Sequence, residues 1–293
     1  MLRMRVLFNT IALEPNRWTK EKRPAHDLGD VLLPRIAEAG FTKIEVWPFH
    51  ILHKSLDELK KLREQAEKRG LSFLVLGAYP EFHHSGANDE APRAQRHEIL
   101  ERARVLGAPW VKYFFGRVAG SALTPEQWAA TEANFSAWIL DGRRQGLNFC
   151  AELHNNTLFD PYETGAKQVN LHPGWDVKFC FQPYDFKSTA KNLALIGKLG
   201  SKIVHAHFQG RNADGYSRLA DSDLDYSKLV PALTMANPEI MHSVEFVKNG
   251  FPKEGEALDF DKALADAVAD AQFIERYLLS ERPDSVRRKR VKS

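Results

Sequence analysis

Hydrophobic positions along the chain fall into two alternating patterns. Short apolar runs rich in β-branched and aromatic residues are separated by longer stretches in which apolar residues recur three and four positions apart. The runs predict strands at about 5–11, 43–48, 71–78, 110–115, 147–153, 177–182, 203–208 and 241–247. Because these runs are apolar almost throughout, they are typical of parallel strands covered on both faces.

The stretches between the runs predict helices, several with recognisable ends. Ser55, with Glu58 three residues later, has the pattern of a capping box, and Gly70 ends the same helix. Thr124 followed by Pro125 predicts the start of another helix. The segment 161–174 is the least periodic. The helices are expected at about 28–39, 55–70, 92–106, from 124 onward, 188–199, 226–235 and 260–279.

Eight strand–helix units in one chain predict an α/β fold, a single (β/α)₈ TIM barrel over residues 1–282. An open doubly wound sheet is the alternative, but no predicted strand is followed by the Gly-x-Gly-x-x-Gly of dinucleotide-binding sheets. Residues 283–293 form a basic tail that we expect to be a flexible terminus.

Charge and composition exclude several classes of protein. The formal net charge is +3, but five basic residues lie in the tail between Arg287 and Lys292, so the body is slightly acidic. This argues against a nucleic-acid partner. The apolar runs are too short for a membrane span, and the N-terminus lacks a signal-peptide pattern. We therefore expect a cytoplasmic protein with neither a nucleic-acid nor a membrane partner.

Polar side chains close the last four predicted barrel strands. In (β/α)₈ barrels the C-terminal strand ends form the active site. Here they carry Glu152, Gln182, His207 and Glu245. Any one of them alone could be a loop hydrogen-bonding residue or a core histidine. Four such residues at the ends of four successive strands predict one shared site. Carboxylate and imidazole groups arranged in this way suit a divalent cation such as Mn²⁺, Mg²⁺ or Zn²⁺.

The motifs along the chain resemble those of the xylose isomerase-like superfamily of sugar phosphate isomerases and epimerases. The resemblance rests on Glu152-x-His154, His205-x-His207, the stretch 223–226, Glu245, and a second strand that contains Glu45. It implies a TIM barrel whose divalent metal is held by Glu, Asp, His and Glu from four successive strands. In this chain these positions are Glu152, Gln182, His207 and Glu245.

Gln182 departs from the family pattern, which usually has Asp at this position. An amide oxygen can bind a hard cation but contributes no charge, so we expect weaker metal binding. Asp185, three residues later, stands where the family usually has His. We expect Gln182 to be a ligand or to lie beside the metal, and Asp185 to face the substrate or support a ligand.

The resemblance also implies a reaction. A metal-polarised carbonyl would lose a neighbouring proton to give an enediolate, with Glu152 and Glu245 as the acid–base pair. A small sugar-like molecule would be the substrate. We expect contacts with it, or with the groups around it, from Glu45, His154, Asp185, His205 and Arg211.

Three other functions remain open at this stage. A lyase or dehydratase could use the same site on a keto-sugar or glycoside, and a non-catalytic barrel could bind a sugar. An apurinic endonuclease is disfavoured, because it needs several zinc ions and a basic groove. A homodimer is compatible with the resemblance but has no direct support in the sequence.

Overall fold

Eight parallel strands close into a barrel in the computed structural model, which describes residues 3–252 and 256–280. Each strand pairs with the next along the chain, and the last pairs with the first. The barrel strands are β1 (Leu7–Asn9), β2 (Lys43–Val46), β3 (Ser72–Ala78), β4 (Trp110–Phe114), β5 (Asn148–Glu152), β6 (Lys178–Phe181), β7 (Ile203–Asn212) and β9 (Met241–Phe246). The predicted (β/α)₈ TIM barrel is confirmed. The tail 283–293 lies outside the described residues.

One strand pair was absent from the prediction. Strand β7 continues past the barrel to Asn212 and turns back into the short antiparallel strand β8 (Gly215–Ser217). Gly215 has φ +110°, a conformation that side chains rarely adopt. This hairpin stands at the C-terminal end of the barrel, beside the candidate site.

Helices follow the barrel strands and cover the outside of the barrel. The capping box predicted at Ser55 is present with its reciprocal hydrogen bonds, and Thr124, predicted as a helix start, also forms a capping box, with Gln127. The helices are α1 (Leu33–Glu38), α2 (Leu56–Lys68), α3 (Glu90–Leu106), α4 (Pro125–Arg144), α5 (Tyr162–Leu171), α6 (Thr189–Leu199), α7 (Tyr226–Ala236) and α8 (Phe260–Ser280). No helix in the described ranges is both long enough and apolar enough to cross a bilayer.

Two local differences from the predicted elements have clear causes. The first predicted helix begins with a π-helical turn, Leu28–Leu32, before α1, with the Asp27 side chain accepting the amides of Gly29 and Asp30. The aperiodic stretch 161–174 contains α5, with Gly165 packed directly against Phe159 and Leu158. Close packing through a glycine needs no apolar stripe, so periodicity could not reveal this helix.

The main core lies between the barrel and its helices. Tyr113 and Phe149 point outward from β4 and β5, and each packs against Trp138 of α4. Phe135 of α4 packs against Phe115 in a tilted arrangement, with ring centroids 4.1 Å apart. Because side chains alternate along a strand, the residues between these outward positions must point into the barrel. Those inward positions carry the polar groups described next.

Candidate active site

Ionisable and polar side chains fill the C-terminal half of the barrel interior. They come from six of the barrel strands or the residues directly after them, and nearly all are buried: Glu45, Lys112, Glu152, Cys180, Gln182, His205, His207, Gln209 and Glu245. Burial of so many polar groups is costly unless they satisfy one another. Their mutual contacts are therefore the main structural fact about this region.

The four residues singled out at the strand ends lie together around one ring nitrogen. Nδ1 of His207 is 3.2 Å from Oε1 of Glu245 and 3.7 Å from Oε1 of Glu152. The amide oxygen of Gln182 is 3.4 Å from the same nitrogen. Ligand atoms of Glu152, His207 and Glu245 all lie within 4.8 Å of one another. The structure thus brings the predicted quartet together.

Glu45 holds the other side of the His207 ring. Its two carboxylate oxygens lie 2.9 and 3.1 Å from Nε2 of His207, and Oε2 is also 2.8 Å from Nε2 of His205. His205 has its second ring nitrogen 3.1 Å from the carbonyl of Met241. Both nitrogens of His205 are therefore engaged by the protein, which places His205 behind the cluster rather than at its open side.

Lys112 is a member of the cluster that sequence reasoning missed. Its Nζ lies 2.5 Å from Oε2 of Glu152 and 3.8 Å from Oε1 of Glu45, and the residue is 4% exposed. The sequence did contain a signal. A lysine at the centre of the apolar strand 110–114 is a charge that needs a buried partner, and its alternation with Val111 and Tyr113 points it inward.

A second missed residue, Gln209, connects Glu245 to the hairpin. Its Nε2 donates to Oε2 of Glu245 at 3.2 Å. Its side-chain oxygen accepts from Arg211, whose guanidinium also donates to the Tyr216 hydroxyl at 2.9 Å. The Tyr226 hydroxyl donates to the Gln209 carbonyl. Gln209 lies two residues after His207, so strand alternation could have placed it on the same face.

Electrostatics within the cluster follow from burial and mutual contact. Burial raises the pKa of Glu45, but the imidazoles of His207 and His205 lower it more, leaving it well below its ordinary value. Burial lowers the pKa of His207, and Cys180, Glu245 and Glu45 raise it well above its ordinary value. Burial raises the pKa of the Cys180 thiol to about 12, so this neighbour of His207 is uncharged at neutral pH.

His154 and Arg211, two predicted substrate contacts, lie at the entrance to the cluster. The His154 ring stacks on Phe114 with centroids 4.5 Å apart, and Nδ1 is 2.9 Å from the Asn155 carbonyl. Both residues line a cavity of about 670 Å³ that reaches Gln182. The opening lies between the segments that follow β5 and β6.

Asp185 is placed differently from the other predicted residues. Its carboxylate binds Nζ of Lys191 at 2.8 Å and accepts the Lys187 amide at 2.9 Å. The Asn192 side chain of α6 donates to the Asp185 carbonyl. These contacts direct Asp185 toward helix α6. The structure therefore does not bring it into the quartet around His207.

Comparison with known proteins agrees with this architecture. Residues 33–262 match the family model described as xylose isomerase-like TIM barrel. Comparison with curated proteins gives no significant match.

Solved structures with this fold include enzymes of different activities. A probable 3-DHS dehydratase, AsbF from Bacillus anthracis, is 15% identical with a TM-score of 0.68, covering 96% of this chain and 100% of that chain. D-psicose 3-epimerase from Clostridium cellulolyticum is 15% identical with a TM-score of 0.65, covering 84% and 92%. The IOLI protein with a bound zinc atom is 16% identical with a TM-score of 0.65, covering 92% and 98%.

At these identities the structural likeness shows the fold alone. The family match covers most of the chain and agrees with the motifs on β2, β5, β7 and β9. The protein therefore belongs to the xylose isomerase-like TIM barrel family.

Proposed function

We propose that this protein is a metal-dependent isomerase or epimerase of a sugar or sugar-like hydroxy-carbonyl compound. The observation that carries the proposal is the arrangement of Glu152 and Glu245, whose oxygens lie 3.7 and 3.2 Å from the same His207 nitrogen. Two carboxylates around one buried imidazole match the chemistry of proton transfer beside a bound cation.

The residues present fit a divalent cation. The imidazole of His207, two carboxylates and the Gln182 amide oxygen are donors that Mn²⁺, Mg²⁺ or Zn²⁺ accepts. Glu45 engages the far nitrogen of His207, the arrangement by which proteins orient histidine ligands. When bound, such a cation polarises the substrate carbonyl and stabilises negative charge on its oxygen. Glu152, Gln182, His207 and Glu245 would hold it.

The two glutamates would move the proton. One carboxylate removes the proton from the carbon next to the carbonyl, and the electrons of the broken C–H bond pass into an enediolate. The other carboxyl group, protonated at the start, donates its proton to a carbon of that enediolate. For epimerisation the donor lies on the opposite face of the same carbon, so the two groups exchange protonation states in each turnover.

Substrate binding would use the residues at the entrance. His154 and Arg211 line the cavity beside Gln182, where they can donate hydrogen bonds to hydroxyl oxygens. Glu45 and His205 would act from behind, by holding His207 in place. The closed interior behind the quartet keeps bulk water away from the carbon that loses its proton.

A lyase or dehydratase is the second candidate. The same enediolate can expel a substituent at the next carbon instead of being reprotonated. Two observations favour the lyase or dehydratase as a second candidate function. The fold is shared with a probable 3-DHS dehydratase, and the cavity of about 670 Å³ falls in the range that holds drug-sized ligands. A glycoside or other substituted sugar would therefore fit beside Gln182.

Metal content and proton exchange test the proposal together. Elemental analysis of the wild type is compared with Glu245→Gln and with Glu239→Gln, a control at an exposed glutamate. With Mn²⁺ supplied in excess, we expect about one bound metal per chain in wild type and control, and a sharp loss in Glu245→Gln. Incubation of ketoses in D₂O should then place deuterium on the carbon next to the carbonyl. The proposal would be contradicted if the protein bound no metal after addition of Mn²⁺ or Zn²⁺ and incorporated no deuterium into the ketoses.

A further inference from the structure

Lys112 stands in the candidate site as a buried cation next to a proposed cation ligand. We propose that Lys112 opposes the charge of the divalent metal and so makes the site bind it weakly and exchangeably. The inference rests on the proposed function, because it concerns the metal assigned there to Glu152, Gln182, His207 and Glu245.

The geometry places the ammonium against one half of the Glu152 carboxylate. Nζ of Lys112 lies 2.5 Å from Oε2, whereas Oε1 faces His207 Nδ1 at 3.7 Å. The lysine therefore occupies one oxygen and leaves the other for the site. In this arrangement Glu152 can offer a single oxygen to a cation, with the ammonium directly behind it.

The charge balance of the cluster supports the same conclusion. Among the described residues in contact with one another here, Glu45, Glu152 and Glu245 carry negative charge and Lys112 carries positive charge. With His207 neutral, as a metal-ligating histidine must be, and all three glutamates ionised, these charges sum to −2, which one divalent cation matches. An aspartate at position 182 and an apolar residue at position 112 would make the cluster more negative by two charges.

Gln182 and Lys112 thus act in one direction. Gln182 removes an anion from the ligand set, and Lys112 neutralises another. A missing anion at position 182 weakens the attraction for a cation, and the buried ammonium of Lys112 repels it at short range. Each residue should therefore lower the affinity of the site for a divalent cation. A purely structural lysine gives the opposite expectation, since its removal would leave Glu152 less well held and weaken metal binding.

The affinity for Mn²⁺ distinguishes a lysine that opposes the metal from a purely structural lysine, and it can be measured without an activity assay. Binding is measured by the electron paramagnetic resonance signal of free Mn²⁺ for wild type, Lys112→Met and Lys112→Arg, with Lys178→Met as a control on β6, where Lys178 pairs with Asp176. We expect Lys112→Met to bind Mn²⁺ roughly tenfold more tightly or better. Lys112→Arg, which keeps the charge, and Lys178→Met should bind like the wild type. Gln182→Asp should also bind more tightly.

A second comparison covers the case in which Lys112→Met fails to fold. Circular dichroism identifies that case. The pair Glu152→Gln and Glu152→Gln/Lys112→Met then gives the test, because the double variant removes both charges of the buried pair. We expect the double variant to bind Mn²⁺ more tightly than Glu152→Gln alone.

The outcomes distinguish the inference from the proposed function. Metal bound by wild type with tighter binding on loss of Lys112 supports the inference. Metal bound by wild type with equal or weaker binding by folded Lys112→Met overturns the inference and leaves the proposed function intact. No Mn²⁺ or Zn²⁺ bound by wild type, Lys112→Met or Gln182→Asp overturns the metal site itself and, with it, both proposals.

Discussion

Oε1 of Glu45, on the second barrel strand, lies 2.9 Å from Nε2 of His207, on the seventh strand of the chain. The contact joins residues far apart in sequence across the barrel interior. Because Nε2 is engaged, the His207 ring presents Nδ1 to Glu152, Gln182 and Glu245. The orientation of the whole candidate site therefore depends on a residue that is not one of its proposed cation ligands.

Replacement of Glu45 should weaken metal binding without removing a ligand. We expect Glu45→Gln to lose about 10- to 100-fold in Mn²⁺ affinity, because the carboxylate that orients His207 is lost. Titration of Mn²⁺ followed by electron paramagnetic resonance measures this effect. Glu38→Gln, at the exposed end of α1, is the control. An unchanged affinity in folded Glu45→Gln would show that Glu45 does not orient His207.

Gln209 should matter for turnover more than for binding. Its side chain holds Oε2 of Glu245, so Gln209→Leu should release that carboxylate and lower kcat by about 10- to 100-fold. KM for the substrate should change less than kcat, because Arg211 loses its bond to Gln209 but keeps its bond to the Tyr216 hydroxyl. Steady-state kinetics on the substrate identified by deuterium exchange give both constants. A rise in KM at constant kcat would instead place Gln209 in substrate binding.

Asp270 should make stability depend on pH. This side chain on α8 is 2% exposed, accepts the Leu219 amide through Oδ1 at 2.9 Å, and has Oδ2 without a hydrogen-bond partner. Burial raises its pKa to about 7; the Leu219 amide and Arg218 lower it, and Asp266 and Asp221 raise it. Because the folded pKa lies above the unfolded value, the folded state binds this proton more tightly. Its stabilising effect is complete below about pH 4 and is lost as pH rises through 7.

Asp270→Asn should remove that dependence. At pH 8 we expect the variant to be more stable than the wild type by up to about 4 kcal/mol, since the amide keeps an oxygen for Leu219 and carries no charge. At pH 4 the two proteins should differ little. Urea unfolding at pH 4, 6 and 8 measures the free energies. Parallel pH profiles for the two proteins would contradict the assignment.

Truncating a side chain of the aromatic core between α4 and the barrel should lower the free energy of unfolding far more than truncating an exposed side chain of the same helix. Phe135 is fully buried and lies 4.1 Å from Phe115 and 4.9 Å from Trp175, centroid to centroid. Phe135→Ala should lower the free energy of unfolding by about 3–5 kcal/mol, because it leaves a cavity among rigid rings. Leu140→Ala on the same helix, where the side chain is 51% exposed, should cost under about 1 kcal/mol. Urea unfolding compares them.

The elements that the sequence predicted well are those with a regular signal. The barrel strands carry continuous apolar runs, and the helices after Ser55 and Thr124 carry capping boxes, so both were found close to their true positions. Helix α5 and the β7–β8 hairpin were missed, because one packs through Gly165 and the other is a polar extension beyond the barrel. Neither leaves an apolar period in the sequence.

The candidate quartet was also predicted, because strand order and alternation determine which side chains can reach the barrel mouth. Alternation alone could have added Lys112 and Gln209, whose positions in the strands point them inward. Asp185 illustrates the limit. Its neighbour Lys191 lies six residues away on the next helix, and only the path of the loop shows that the carboxylate turns toward it.

By itself, then, the sequence determined the fold and the family, and it indicated the residues that gather at the end of the barrel. The periodicity of the strands is a local property, and it specifies the direction of each side chain relative to the sheet. The tertiary structure decided which polar groups pair inside: Glu45 with His207, Lys112 with Glu152, and Gln209 with Glu245. Those pairings depend on barrel closure and on distances of a few ångströms between strands remote in sequence, and neither is encoded in any single segment.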